Sequence, residues 1–230
     1  MAESTAAPGR SPRVRPARRL TLSEDVYETV KALIMDHGIP PGDRVNIDAL
    51  SRELEVSPTP VREALARLES DGLVRKRPLA GYTVAPLLTR AEFEELFDLR
   101  IVLETAAATR AATRAPLAAR ELALTGADLG MSPDVVDGYR SYADFTALDA
   151  QFHDSIAELA GNAMLRDAVF RLHAHLHLHR LHFPQATAGN TGAEHEAIVA
   201  AILAGDGDAA ATAMHDHLAS ARARHLAAFE

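Results

Sequence analysis

The sequence predicts a mainly α-helical chain in two parts: an N-terminal winged helix-turn-helix followed by an all-α helical bundle. Three observations predict it. Residues 47–74, IDALSRELEVSPTPVREALARLESDGLV, hold two short amphipathic segments on either side of a polar turn. Beyond residue 89, apolar side chains recur at intervals of three and four, in Ala-rich stretches with few aromatics. Charge also divides the chain. Residues 1–88 carry 13 Lys+Arg against 12 Asp+Glu, whereas residues 89–230 carry 11 against 20 and ten of the eleven histidines.

The boundaries expected are a disordered tail over 1–20, a winged domain over 21–86 and a helical domain over 89–230. Met1–Arg19 is rich in Pro, Ala and Arg and has no apolar repeat. Thr21–Asp36 is the first predicted helix, with Thr21 and Glu24 at capping-box spacing and Val26, Val30, Leu33 and Ile34 as its inner face. Gly38 and Pro40–Pro41–Gly42 end it.

In the helix-turn-helix, Leu50 and Leu54 mark one inner face and Val61, Leu65 and Leu68 the other. Glu55–Val56–Ser57 makes the turn. Ser57 or Thr59 can cap the second helix, and Pro58 or Pro60 suits its first turn, where a missing N–H costs nothing. That helix is short enough to enter a DNA major groove. Asp71–Gly72 closes it. Leu73–Arg77, a turn at Pro78–Gly81 and Tyr82–Val84 read as a two-stranded wing. Arg62, on the first turn, suits a guanine edge; Ser57 and Thr59 can bond phosphates or bases. Arg52, Lys76 and Gly81 would position the DNA backbone and minor groove.

From Thr89 the helices expected are Arg90–Arg114, a shorter one after Pro116, Tyr142–Ala160, Met164–Phe183, Ala193–Leu203 and Ala209–Ala228. Gly126–Gly138 is a weakly patterned connection, and Pro184–Gly192 is a loop. On Met164–Phe183 the inner stripe is Leu165, Val169, Leu172, Leu176 and Phe183. His179 is nearest that stripe and His177 points outward.

Four positions put polar atoms where the pattern demands apolar ones. Asp149 and His153 lie one turn apart; His195 shares a face with Ile198, Val199 and Ile202; His217 shares one with Met214, Leu218 and Ala221. A bare carboxylate on a core face is costly, so Asp149 must be paired or ligate a cation. One carboxylate and three imidazoles suit a divalent transition metal such as Zn²⁺, Ni²⁺ or Mn²⁺. Arg100 and Glu104 also face inward. They can pair with each other, or Arg100 can offer its planar fork to a carboxylate.

VSPTPVREALARLESDGLV followed by GYTV resembles the winged helix-turn-helix of the GntR family of bacterial transcription regulators. LDAQFHDSIAELAGN, EHEAIVAAILAGD and AMHDHL resemble the ligand domain (FCD domain) of its FadR-type branch. The resemblance implies a metal held by Asp149, His153, His195 and His217, and a small organic acid beside it that Arg100 helps to hold. Glu104 and His179 would line that site. It also implies DNA contacts from Arg62 and Gly81. Asp48 and Pro58 depart from the fatty-acid-responsive member, which carries DNA-contacting Arg there, so its operator is not carried over.

The function expected is a DNA-binding transcription regulator, most often a repressor in this family, bound as a homodimer to a near-palindromic duplex and answering to an organic acid. A purely metal-responsive regulator is the alternative within that class. A metallohydrolase is the alternative outside it; against it, no second carboxylate is evident beside the ligand set to act as base. A DNA-binding scaffold with structural histidines is a further option. The chain has no Cys, which excludes disulfides and thiolate metal sites and fits the cytoplasm. No apolar run approaches the roughly 20 residues that span a bilayer.

Overall fold

The computed structural model describes residues 22–78, 81–125, 138–181 and 191–229. The tail, Thr21, the wing tip at 79–80, the connection at 126–137 and the loop 182–190 with His182 and Phe183 lie outside the described residues.

Helix α1 (Leu22–Met35) buries Val26, Tyr27, Val30, Ile34 and Met35. Strand β1 (Arg44–Val45) follows, then α2 (Ile47–Glu53), whose N-cap Asn46 accepts a hydrogen bond from the Ala49 amide at 3.0 Å. Glu55 turns the chain with a left-handed backbone (φ 54). Helix α3 (Pro58–Ser70) then begins with Ser57 at the N-cap. The Ser57 hydroxyl makes no capping hydrogen bond and Thr59 lies inside the helix. The start therefore rests on Pro58, whose fixed φ suits the first turn. Pro60, Val61, Ala64, Leu65 and Leu68 pack inward, chiefly against α1. Gly72 (φ 74) closes α3 and turns the chain into the wing.

The wing is β2 (Val74–Arg77) and β3 (Gly81–Val84), antiparallel, with Val74 opposite Val84 and Arg77 opposite Gly81. β1 pairs with the other edge of β3, giving the order β1-β3-β2. This third strand was not expected from the sequence, because two residues show no alternation to read. Among the described residues the sheet closes one end of the α1–α3 core through Val45, Val74, Tyr82 and Val84.

The second part opens on a capping box, Thr89 with Glu92, at the head of α4 (Arg90–Arg114). Helices α5 (Leu117–Thr125), α6 (Gly138–Leu159), α7 (Ala163–Arg171), α8 (Ala174–Arg180), α9 (Thr191–Ala204) and α10 (Gly207–Leu226) follow, with a 3-10 turn at Ala227–Phe229. Helices α4 and α10 pack most extensively. Gly207 allows this, since a Cβ there would lie 2.8 Å from Thr113 Cγ2 on α4. Ala108, Ala111, Phe152, Ile156, Ile198, Ile202, Met214 and Leu218 form the core between α4, α6, α9 and α10.

One helix expected from the sequence is two. Met164–Phe183 does not run through: His173 takes a left-handed backbone (φ 45) and separates α7 from α8. The break re-phases everything after it. Leu176 leaves the stripe it would share with Leu165 and packs onto the α1–α3 core instead. His177 does not point outward either. Its ring approaches Gly72 at the end of α3, and burial pushes its pKa down to about 4.

Candidate metal and effector site

Helices α6, α9 and α10 bring Asp149, His153, His195 and His217 together. One ligand atom from each lies within 4.8 Å of the others. All three imidazoles are buried, and Asp149 is largely so. The Asp149 Oδ1 atom is 3.3 Å from His195 Nε2 and 4.0 Å from His153 Nε2, and none of these buried atoms has an aligned hydrogen-bond partner. Metal bonds of about 2.0–2.2 Å set neighbouring ligand atoms roughly 3–4 Å apart. The donor set is thus within a small side-chain adjustment of a coordination sphere. Its convergent orphaned atoms fit a divalent cation.

The surroundings fix each ring. The Glu104 carboxylate lies against His153 Nδ1, and Arg100 Nε donates to the same carboxylate at 2.6 Å. Glu194 lies 2.8 Å from His217 Nδ1 and is held by Arg224 through two guanidinium nitrogens, at 2.6 and 2.9 Å. His195 stacks on Phe152, with ring centroids 3.9 Å apart. Burial pushes the His153 pKa down to about 3 and lowers that of His217, so both are neutral near pH 7, the form that ligates metal. For the carboxylates, burial works the other way and is outweighed. Arg100 and His153 hold Glu104 below the usual carboxylate range, and His217 and Arg224 hold Glu194 at about 2. Asp149 is kept well below its ordinary value by His175 and His195, against its own burial.

Two second carboxylates, Glu104 and Glu194, therefore stand beside the ligand set. Neither is evident beside the ligand set from the sequence alone. Arg100 and Glu104 do pair, as one of the two readings held, but the pairing leaves Arg100 Nη2 without a partner. Arg100 also lines a small cavity of about 50 Å³ that opens on Asp149 and His217. His179 lines it too, with its Nδ1 3.1 Å from Thr146 Oγ1.

Several residues at this site were missed. His175 Nε2 lies 3.1 Å from Asp149 Oδ2, and Thr191, Arg224 and His225 complete the cavity wall. Arg224 was legible, seven residues after His217 and so on the same helical face. His175 was not, because only the break at His173 turns it inward.

On the winged part, Arg52, Ser57, Thr59, Arg62 and Lys76 are all exposed. Arg62 and Gly81 (φ 82) face a common cleft with Arg44, Asn46 and Asp48. Arg44, on β1, is a further cation at this surface that the sequence reading did not single out. Arg67 is different: it is paired with Glu24 and lies 4.0 Å over the Tyr27 ring, which makes it part of the α1–α3 contact.

Residues 95–220 match the FCD domain, and residues 22–84 match bacterial regulatory proteins of the gntR family. Over 135 residues the chain is 34% identical to an HTH-type transcriptional regulator in the TAR-I ttuE-ttuC' intergenic region of Agrobacterium vitis, spanning 58% of this chain and 78% of that protein. It is 27% identical to the HTH-type transcriptional repressor RspR of Escherichia coli (strain K12), with 86% of each chain covered. Among solved structures, a GntR transcriptional regulator from Rhodococcus sp. RHA1 aligns with a TM-score of 0.67 at 25% identity, covering 90% of this chain and 99% of that one.

Proposed function

The chain belongs to the GntR family of bacterial regulatory proteins and carries its FCD domain; from that premise we propose that its helical part binds a divalent transition metal and a small carboxylate, and that their binding changes operator affinity. That it is a DNA-binding transcription regulator rather than an enzyme follows from the family and from its regulatory relatives. The finer reading is a cytoplasmic repressor, working as a homodimer on a near-palindromic duplex, with residues 21–86 as the DNA-binding domain and 89–230 as the sensor and dimerisation domain. The relative RspR is named a repressor, which supports that sign.

One observation carries the proposal. Asp149, His153 and His195 point buried donor atoms at a common centre, and those atoms find no aligned partner among the described residues. Leaving them so costs free energy that a cation would recover. Asp149, His153, His195 and His217 would hold the metal, which supplies Lewis acidity toward an anionic oxygen. Arg100, with one nitrogen already on Glu104, turns its unpaired Nη2 to the second charge of an acid in the cavity. Arg52, Ser57, Thr59, Arg62, Lys76 and Gly81 would meet the duplex.

The test uses full-length protein stripped with EDTA. Thermal unfolding is followed with Zn²⁺, Ni²⁺ or Mn²⁺, each with and without L-malate, a diacid with a chelating hydroxyl. Metal content and binding to a duplex selected from a randomised pool are measured alongside. A ligand of the folded state raises the unfolding midpoint by mass action. The expected result is one metal per chain, a further rise with acid, and a shift in duplex affinity. If no metal is retained and no midpoint moves, the sensor reading fails. A response to metal alone, with the acid inert, would favour a purely metal-responsive regulator.

A further inference from the structure

Helix α8 is seven residues long and touches both parts of the molecule. On one side His175 reaches Asp149, His179 reaches Thr146, and Leu178 packs with Phe93 and Phe97. On the other, Leu176 packs onto the α1–α3 core and His177 approaches Gly72. The Arg180 guanidinium donates to the carbonyl of Ala85, just past β3, and the Arg180 carbonyl accepts from His37 Nε2 at 3.0 Å.

Resting on the metal-and-acid reading above, we propose that α8 is the wall of the effector site that yields when the site fills, and that it carries this displacement to the winged part through Arg180 and His37. Neither residue touches metal or effector. Both are positioning residues.

Three features of the geometry support this. The cavity beside Asp149 is about 50 Å³, room for about four waters. That space is small for an acid of three or more carbons, so seating one against Asp149 presses on the walls. The walls on α4, α6, α9 and α10 belong to the main helical core, where close packing resists displacement. Alongside α8, in contrast, lies a cleft of about 410 Å³ between α1, α6 and α7, lined by Tyr27, Lys31, Gln151 and Phe170 and reaching Glu104, His153 and His175 at the metal site. There is space for α8 to move into.

Both ends of α8 are also set to release. His173 enters it in a left-handed conformation that a residue with a Cβ adopts at a cost, so the joint to α7 favours rearrangement. At the far end Arg180 is fully buried, and among the described residues no carboxylate pairs with it. Its Nε and Nη1 have no partner. A buried charge with one carbonyl for company is poorly compensated, and a shift that exposes it recovers part of that cost.

The experiment compares the full-length wild type with R180M and H37G. Methionine keeps an unbranched stem without the guanidinium. Glycine suits the left-handed backbone of His37 (φ 56) while removing its hydrogen bond to Arg180. Affinity for the selected duplex is measured by fluorescence anisotropy in EDTA and again in Zn²⁺ plus L-malate, with Zn²⁺ binding followed separately by calorimetry. The wild-type ratio of the two affinities is expected in the range of about 5- to 150-fold usual for allosteric coupling. In either variant it falls below about twofold, with Zn²⁺ affinity unchanged. A wild-type response that both variants retain in full overturns the role of α8 and leaves the sensor reading standing. A wild type with no response, and no bound Zn²⁺, overturns the sensor reading itself. Should R180M fail to fold, H37G alone decides between these outcomes.

Discussion

Glu194 settles which nitrogen of His217 faces the ligand cluster. Its carboxylate is ionised, held at about 2 by His217 and Arg224 against its burial, so it can only accept a hydrogen bond. The His217 Nδ1 atom 2.8 Å away must therefore carry the proton, and Nε2 is left bare toward the centre. The Glu104 carboxylate likewise lies against Nδ1 of His153. These carboxylates do for the imidazoles what a backbone carbonyl does in other metal sites.

Replacing Glu194 by Gln removes the charge that fixes this tautomer while keeping the shape. Zn²⁺ affinity of E194Q should fall by about 10- to 100-fold, the range for lost partners of metal-ligating histidines. Calorimetry measures it. An unchanged affinity would mean that His217 is not a ligand, or is oriented by something else.

Glu104 and Arg100 form a pair almost wholly out of solvent, 2.6 Å apart. Removing one partner strands the other, so E104A should lose about 3–5 kcal/mol of stability. E104Q, which can still accept from Arg100, should lose less. Urea titrations of the metal-free variants give both values. If the two lose equally, charge compensation is not what Glu104 contributes.

Burial holds His153 at about 3 and His177 and His225 at about 4. In the unfolded chain each takes a proton near 6.5. Between those values the unfolded state binds protons that the folded state refuses, so folding weakens as pH falls. The metal-free protein should show its full stability above about pH 6.5 and lose it progressively toward pH 4. Urea midpoints at pH 7.5, 6 and 5 trace the decline. A flat profile would show that these rings titrate normally.

Arg62 is exposed at the start of the second turn of α3, in the cleft it shares with Arg44 and Gly81. Losing one base-reading Arg costs about 1–3 kcal/mol, so R62A should bind the selected duplex roughly 5- to 150-fold more weakly and lose preference at one base pair. K76A should instead weaken all duplexes alike and reduce the salt dependence by about one unit of slope. R67A should change neither slope nor preference, because Arg67 is engaged with Glu24 and Tyr27. Anisotropy titrations against salt separate the three. Identical profiles for R62A and K76A would contradict the division of roles.

The sequence alone determined what short-range physics decides. Helical periodicity marked Val61, Leu65 and Leu68 as the buried face of α3, and the same periodicity put Asp149, His153, His195 and His217 on the inner faces of α6, α9 and α10. The pairing of Arg100 with Glu104 was legible because four residues span one helical turn. Tertiary structure alone decided whatever depends on how separate helices meet. Glu104 joins His153 and Glu194 joins Arg224 across distances in sequence that no local pattern reports. The break at His173 follows the same rule. The stretch of alternating His and Leu reads as helix throughout, yet α8 must face the α1–α3 core and the cavity at once, and one left-handed residue gives it the phase to do so.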